Sequence, residues 1–118
     1  MALPRDQRIR RTSEFATVRN KGASWTGRLL ILAAMPLENE TSPRFGFTVT
    51  RRIGNAVVRN RIRRRLSGII SAVAPDISRS CLIVTIPRHG AARAEFSALQ
   101  AEWIKLARRA NLLPPAPL

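Results

Sequence analysis

Little in this sequence belongs to the usual protein catalyst. Its 118 residues contain one cysteine and one histidine. A lone Cys81 excludes an internal disulfide and a multi-cysteine zinc site. Set in the apolar run CLIVTIP, it reads as a small core residue. His89 sits in the turn-like Pro-Arg-His-Gly with no partner in a recognisable motif, and reads as a loop histidine rather than a general base. Acids are scarce too: seven, at Asp6, Glu14, Glu38, Glu40, Asp76, Glu95 and Glu102. Only Glu38 and Glu40 are close, in a loop with no further ligand, so neither a catalytic carboxylate pair nor a metal site is expected. Long apolar runs are missing. The longest, Leu29 to Leu37, falls far short of the about 18 residues a bilayer requires. The opening MALPRDQRIRR carries no apolar stretch behind its charges, so no signal peptide and a cytoplasmic location are expected.

What the chain has instead is arginine. Twenty-one basic residues against seven acids give a formal net charge of +14. Only Lys21 and Lys105 are lysines, so 21 minus 2 leaves 19 arginines. A 45% apolar content excludes a disordered basic tail and fits one domain with a modest core. Such a balance points to nucleic acid before an anionic membrane.

The charge concentrates in RRIGNAVVRNRIRRRLSGIISAV, Arg51 to Val73, which holds seven arginines and no acid. From about Asn55 this stretch is amphipathic. Val58, Ile62, Leu66, Ile69, Ile70 and Val73 share one face at about 100° per residue. Asn60 and Arg64 lie opposite. Arg61 and Arg65 flank the apolar stripe on one side, Arg59 and Arg63 on the other. One helix thus packs on a core and presents planar, permanently charged groups suited to phosphate. Arg51 and Arg52, just before the helix, are placed to meet phosphates together with backbone N–H groups. Asn60 can donate to phosphate and accept from a 2′-OH or base edge.

Around this helix the chain reads in order as follows. Residues 1–11 are basic and irregular. Thr12 or Ser13 caps a short helix with Glu14 in its first turn, Phe15 and Val18 on one face, and Lys21-Gly22 at its end. Trp25 to Met35 is a strand, and PLENETSP, 36–43, is a hairpin loop that pairs it antiparallel with a strand over 44–50. In that second strand Phe45, Phe47 and Val49 face one way, as core side chains or, less favoured, as a stacking platform, and Arg44, Gly46, Thr48 and Thr50 face the other. Cys81 to Pro87 is a third, buried strand, parallel to 44–50 if the two share a sheet. A last helix over 93–111 carries Phe96, Leu99, Trp103, Leu106 and Ala110 on one stripe. The tail 112–118 is proline-rich and, like 1–11, expected to be flexible. The fold class is α+β: a single-domain, two-layer sandwich of order α-β-β-α-β-α, with or without an extra strand, spanning 1–118.

FGFTVTRRIGNAVVRNRIRRRLSGII, Phe45 to Ile70, resembles the protein component of bacterial ribonuclease P, with Arg59-Asn60-Arg61 matching the family's Arg-Asn-Arg motif after Gly54-Asn55-Ala56-Val57. RIRRTSEFATVRNKG and PRHGAARAEFSALQAEWIKLARRA extend the likeness to essentially the whole chain. The resemblance implies a left-handed β-α-β crossover by the basic helix, as in domains of a small-subunit ribosomal protein and of elongation factor G. That is against the general right-handed preference of about 98%. It implies a subunit of an endoribonuclease that removes the 5′ leader of precursor tRNA. The catalytic centre and most bound Mg²⁺ would lie in the RNA subunit, with one protein per RNA. Arg51, Arg52, Asn55, Arg59, Asn60, Arg61, Arg63, Arg64 and Arg65 would contact the catalytic RNA. Phe15, Arg19, Met35, Phe45 and Thr48 would line a cleft for the single-stranded leader. Arg19, Ala33 and Met35 stand where the family often has aromatics, which would reduce base stacking. The alternative is a structural RNA-binding protein of the ribosomal or RNA-chaperone kind, which would not need the Gly54–Val57 and Arg59–Arg61 signature.

Overall fold

The computed structural model describes residues 3–9, 11–38 and 42–115. Seven elements follow one another: α1 (Thr12–Lys21), β1 (Ala23–Thr26), β2 (Leu30–Pro36), β3 (Arg44–Phe47), α2 (Ala56–Val73), β4 (Cys81–Pro87) and α3 (Phe96–Arg109). They form one α+β domain around a four-stranded sheet of order β1-β2-β4-β3. β1 and β2 are antiparallel, as are β2 and β4, whereas β3 runs parallel to β4.

The two interior strands of the sheet are apolar on both faces. β4 is buried at six of its seven positions, and β2 is buried at Leu30, Leu32, Ala33 and Ala34. Such strands belong in the interior of a sheet. The strand over 44–50 does not pair with β2 across a hairpin. β4 enters between them, and the connection over 37–43 spans it rather than closing a turn. Glu40 lies outside the described residues.

The expected long strand over 25–35 is broken into β1 and β2. Gly27 N–H donates to Leu30 C=O at 2.8 Å to close the turn. The carboxylate of Glu102 on α3 then accepts from the N–H groups of Arg28 (3.0 Å), Leu29 (2.6 Å) and Leu30 (2.6 Å). The acceptor that stabilises this turn comes from a residue more than seventy positions away, which no local pattern reveals.

Alternation along the strands sends the side chains to two unequal cores. Leu30, Leu32, Phe45 and Ile83 pack with Ile62, Leu66, Ile69 and Ile70 of α2 and Leu99, Trp103 and Leu106 of α3. Trp103 is fully buried, donates from Nε1 to Thr85 Oγ1 at 3.0 Å, and meets Phe45 with ring centroids 6.5 Å apart. On the opposite face Ala33, Leu82 and Val84 pack with Val18 of α1. Of the three described α-helices only α1 lies on this side of the sheet, with Ile9 packed beside it.

Several ends differ from expectation. Arg11, not Thr12 or Ser13, occupies the N-cap of α1, and Glu14 reaches back to accept its N–H at 3.0 Å. Phe96, expected on the core stripe of α3, is 42% exposed because it opens the first turn, beyond the edge of the core. Residues 3–9 are not irregular throughout: Leu3 is buried, 5–7 form a 3-10 turn, and Ile9 N–H donates to Phe45 C=O at 2.9 Å on the outer side of β3. In the tail, Asn111 takes φ 58° and Leu112 N–H donates to Ala107 C=O at 2.8 Å. This is a Schellman stop, and it turns Leu112 and Leu113 back into the core.

Candidate nucleic-acid interface

The basic helix is fixed at its start by two local devices. Gly54 has φ +157°, and a Cβ there would lie 3.0 Å from Cβ and Cγ1 of Val58, so the position favours glycine. Asn55 is the N-cap, its Oδ1 accepting Val58 N–H at 3.0 Å. At the other end Pro75, which has no N–H to donate, follows the Ala74 C-cap. Between them the apolar stripe is largely buried, with Ile62, Leu66, Ile69 and Ile70 in the core and Val58 and Val73 at its border.

The arginines divide into two groups. Arg51, Arg52, Arg63 and Arg64 are exposed, as are Asn55 and Asn60. Arg63 Nη1 donates to Asn60 Oδ1 at 3.1 Å, which ties the two side chains together. Arg59, Arg61 and Arg65 are half-buried. Arg61 Nη2 donates to Ala92 C=O at 3.1 Å and Arg65 Nη1 to Ala94 C=O at 2.9 Å. These two therefore brace the segment before α3 as well as carrying charge. The Nε atoms of Arg59 and Arg61 are buried with no acceptor, so their stems lie pressed along the protein. No acid lies on α2. The face it presents is one of clustered guanidinium groups.

The second candidate surface lies beside α1. Phe15 rests on Gly46, where a Cβ would come within 2.6 Å of the ring, so only glycine admits the aromatic here. Val18 packs on Ala33, Leu82 and Val84, and Gly22 follows over Ala34. α1 thus crosses the strands from β3 toward β2. Glu14 on one flank pairs with the buried Arg44 at 3.1 Å. Helical geometry then puts Arg19 and Thr12 on the other flank. That flank borders a row left partly open by α1, formed by Ile31, Ile86 and Thr48. Thr48 belongs to this row because its N–H donates to Thr85 C=O at 3.0 Å, extending the β3–β4 register.

Of the five expected cleft residues, Phe15, Arg19 and Thr48 gather along this trough. Two do not. Phe45 is 1% exposed and faces Trp103 on the far side of the sheet, as strand alternation requires for a residue one position from Gly46. Met35 pairs in register with Leu82, two side-chain rows from Ile31 and Ile86, and so lies across α1 from Thr48. Sequence reasoning missed Phe96 as a surface aromatic. Its i+3 spacing to Leu99 gave a core signal, and only the end of the core shows otherwise.

Among the described residues no three of His, Cys, Asp and Glu gather where they could hold a metal ion. No described helix is long and apolar enough to cross a membrane. Cys81 is buried, and desolvation pushes its thiol above the ordinary value of 9.0 against a smaller opposing pull from Arg79.

An α+β domain with an arginine face on a core-anchored helix and a trough beside a second helix has a surface suited to a polyanion. The family model for ribonuclease P matches residues 3–111, and the chain belongs to the family of ribonuclease P protein components. It is 39% identical over 108 residues to the ribonuclease P protein component of Acidothermus cellulolyticus, covering 91% of this chain and 90% of that one. It is 31% identical over 113 residues to that of Shouchella clausii, covering 96% and 93%. The fold matches the Staphylococcus aureus RNase P protein with a TM-score of 0.85 at 23% identity, over 91% of this chain and 97% of the other. Membership carries a role in tRNA 5′ processing as a subunit of an endoribonuclease holoenzyme.

Proposed function

We propose that the chain grips the catalytic RNA of ribonuclease P through α2 and holds the 5′ leader of precursor tRNA in the trough beside α1. Bond breaking is left to the RNA. The observation that carries this is the exposed group of Arg51, Arg52, Asn60, Arg63 and Arg64 on an acid-free helix anchored in the core. Arginine forks fit phosphate oxygens bidentately, and anchoring limits the ordering cost of binding. Two of the described carboxylates are already engaged within the protein. Glu14 is ion-paired with Arg44, and Glu102 accepts from three backbone N–H groups. This reading leaves Mg²⁺ chiefly to the RNA. The protein supplies positive charge near the leader and the ribozyme, in the cytoplasm and at one protein per RNA.

Arg64→Ala should flatten the salt dependence of catalytic-RNA binding by about 0.7 in log–log slope, the loss of one phosphate contact. An unchanged slope removes Arg64 from the interface. Phe15→Ala should weaken precursor tRNA binding by about fivefold or more, the loss of one stacked base, while mature tRNA binding hardly changes. Equal weakening of both would mean that the ring serves only the fold.

A further inference from the structure

Phe96 and Val57 are the two large apolar side chains that stand exposed among the described residues, at 42% and 73%. Both border the arginine face. Val57, Arg61, Arg64 and Gly68 follow at i, i+4, i+7 and i+11, one stripe of α2. Where this stripe meets the start of α3, a groove of about 390 Å³ opens, lined by Arg61, Arg64, Arg65, Gly68 and Phe96. That volume lies in the range of small-ligand pockets, about 300–1,000 Å³. A Cβ on Gly68 would meet only the Phe96 ring, 3.8 Å away at Cε2, so the missing side chain leaves the space open. Arg61 and Arg65 are held in place by the Ala92 and Ala94 carbonyls, while Arg64 is exposed and has no protein partner among the described residues.

We propose that this groove takes one unpaired nucleotide of the catalytic RNA, its base stacked on Phe96 and its phosphate held by Arg64. The proposal rests on the reading of α2 as the surface for that RNA. The chemistry favours a nucleotide over an apolar protein partner. Three guanidinium groups line the groove with a single ring, and a bare phosphate would need no ring at all. Stacking is tolerant of base identity and worth enough to hold an extruded base. Arg61 and Arg65, preset by their backbone acceptors, supply the fixed positive floor. Paired RNA could not enter, since its bases are already stacked on each other.

The test is equilibrium binding of the catalytic RNA by the full chain carrying Phe96→Leu, Phe96→Trp or Gly68→Leu, with Arg64→Ala beside them. Phe96→Leu should weaken binding by about 5- to 140-fold, the worth of one stacked base, with the salt slope unchanged because no charge is lost. Phe96→Trp should bind as tightly as the parent or tighter. Gly68→Leu fills the groove and should weaken binding while the melting temperature holds or rises, since leucine is the better helix former. Parent-like binding by Phe96→Leu or by Gly68→Leu overturns the proposal. If Arg64→Ala alone is weakened, α2 remains the RNA surface and only the nucleotide pocket falls. If none of the variants is weakened, both readings fall together.

Discussion

A guanidinium group works differently according to what its other N–H groups are doing. Arg64 is exposed and unshared, whereas Arg61 and Arg65 each give one donor to a carbonyl of the segment before α3. Arg61→Ala and Arg65→Ala therefore mix lost charge with a loosened segment, and Arg64→Ala does not. Cys81 shows burial acting on the opposite kind of group. Desolvation raises its pKa, so the folded protein holds the neutral thiol. A folded pKa above the unfolded one contributes stability that is complete below the unfolded value near 9.0 and lost as pH rises through the folded one. Native protein at neutral pH should thus be almost unreactive toward a disulfide reagent and should label once urea unfolds it. Rapid labelling without denaturant would place the thiol outside the core.

At the scale of elements, α2 was legible because two independent signals agree on it. The apolar stripe gives its buried face and its approximate start near Asn55, and the long Gly54–Arg61 signature falls on the same stretch; the Asn55 cap itself is seen only in the structure. β4 was legible with its bounds for a similar reason, as an apolar run closed by Pro87. What could not be read is whatever depends on a distant partner. The β1–β2 turn is satisfied by Glu102, and the exposure of Phe96 is set by where the core ends. The cap of α2 also separates two roles of Asn55. Asn55→Ala should destabilise the fold by about 1 kcal/mol in urea titration. Asn55→Asp keeps the cap oxygen and should fold like the parent, yet its negative charge should weaken catalytic-RNA binding. Full binding by Asn55→Asp would leave the residue with a structural role only.

For the whole molecule, topology decides which surfaces exist. Because β4 lies between β2 and β3, α2 returns the chain from the sheet edge to its interior and shares one face of the sheet with α3. α1 is the one described α-helix on the other face, with Ile9 packed there too and a partly open row of side chains beside it. The expected hairpin pairing of 25–35 with 44–50 would have given a different sheet. Hydropathy identifies strands that are apolar on both faces, but it does not say which of them takes the centre. The net charge of +14 is likewise a property of the whole, and it favours fast, salt-sensitive association with RNA. The most direct measurement is precursor tRNA cleavage at low Mg²⁺ by the catalytic RNA, by the protein, and by the two together. The two together should cleave where the RNA alone is nearly inactive, and the protein alone should give no product. Cleavage by the protein alone, or no gain on adding it to the RNA, would contradict the division of labour proposed here.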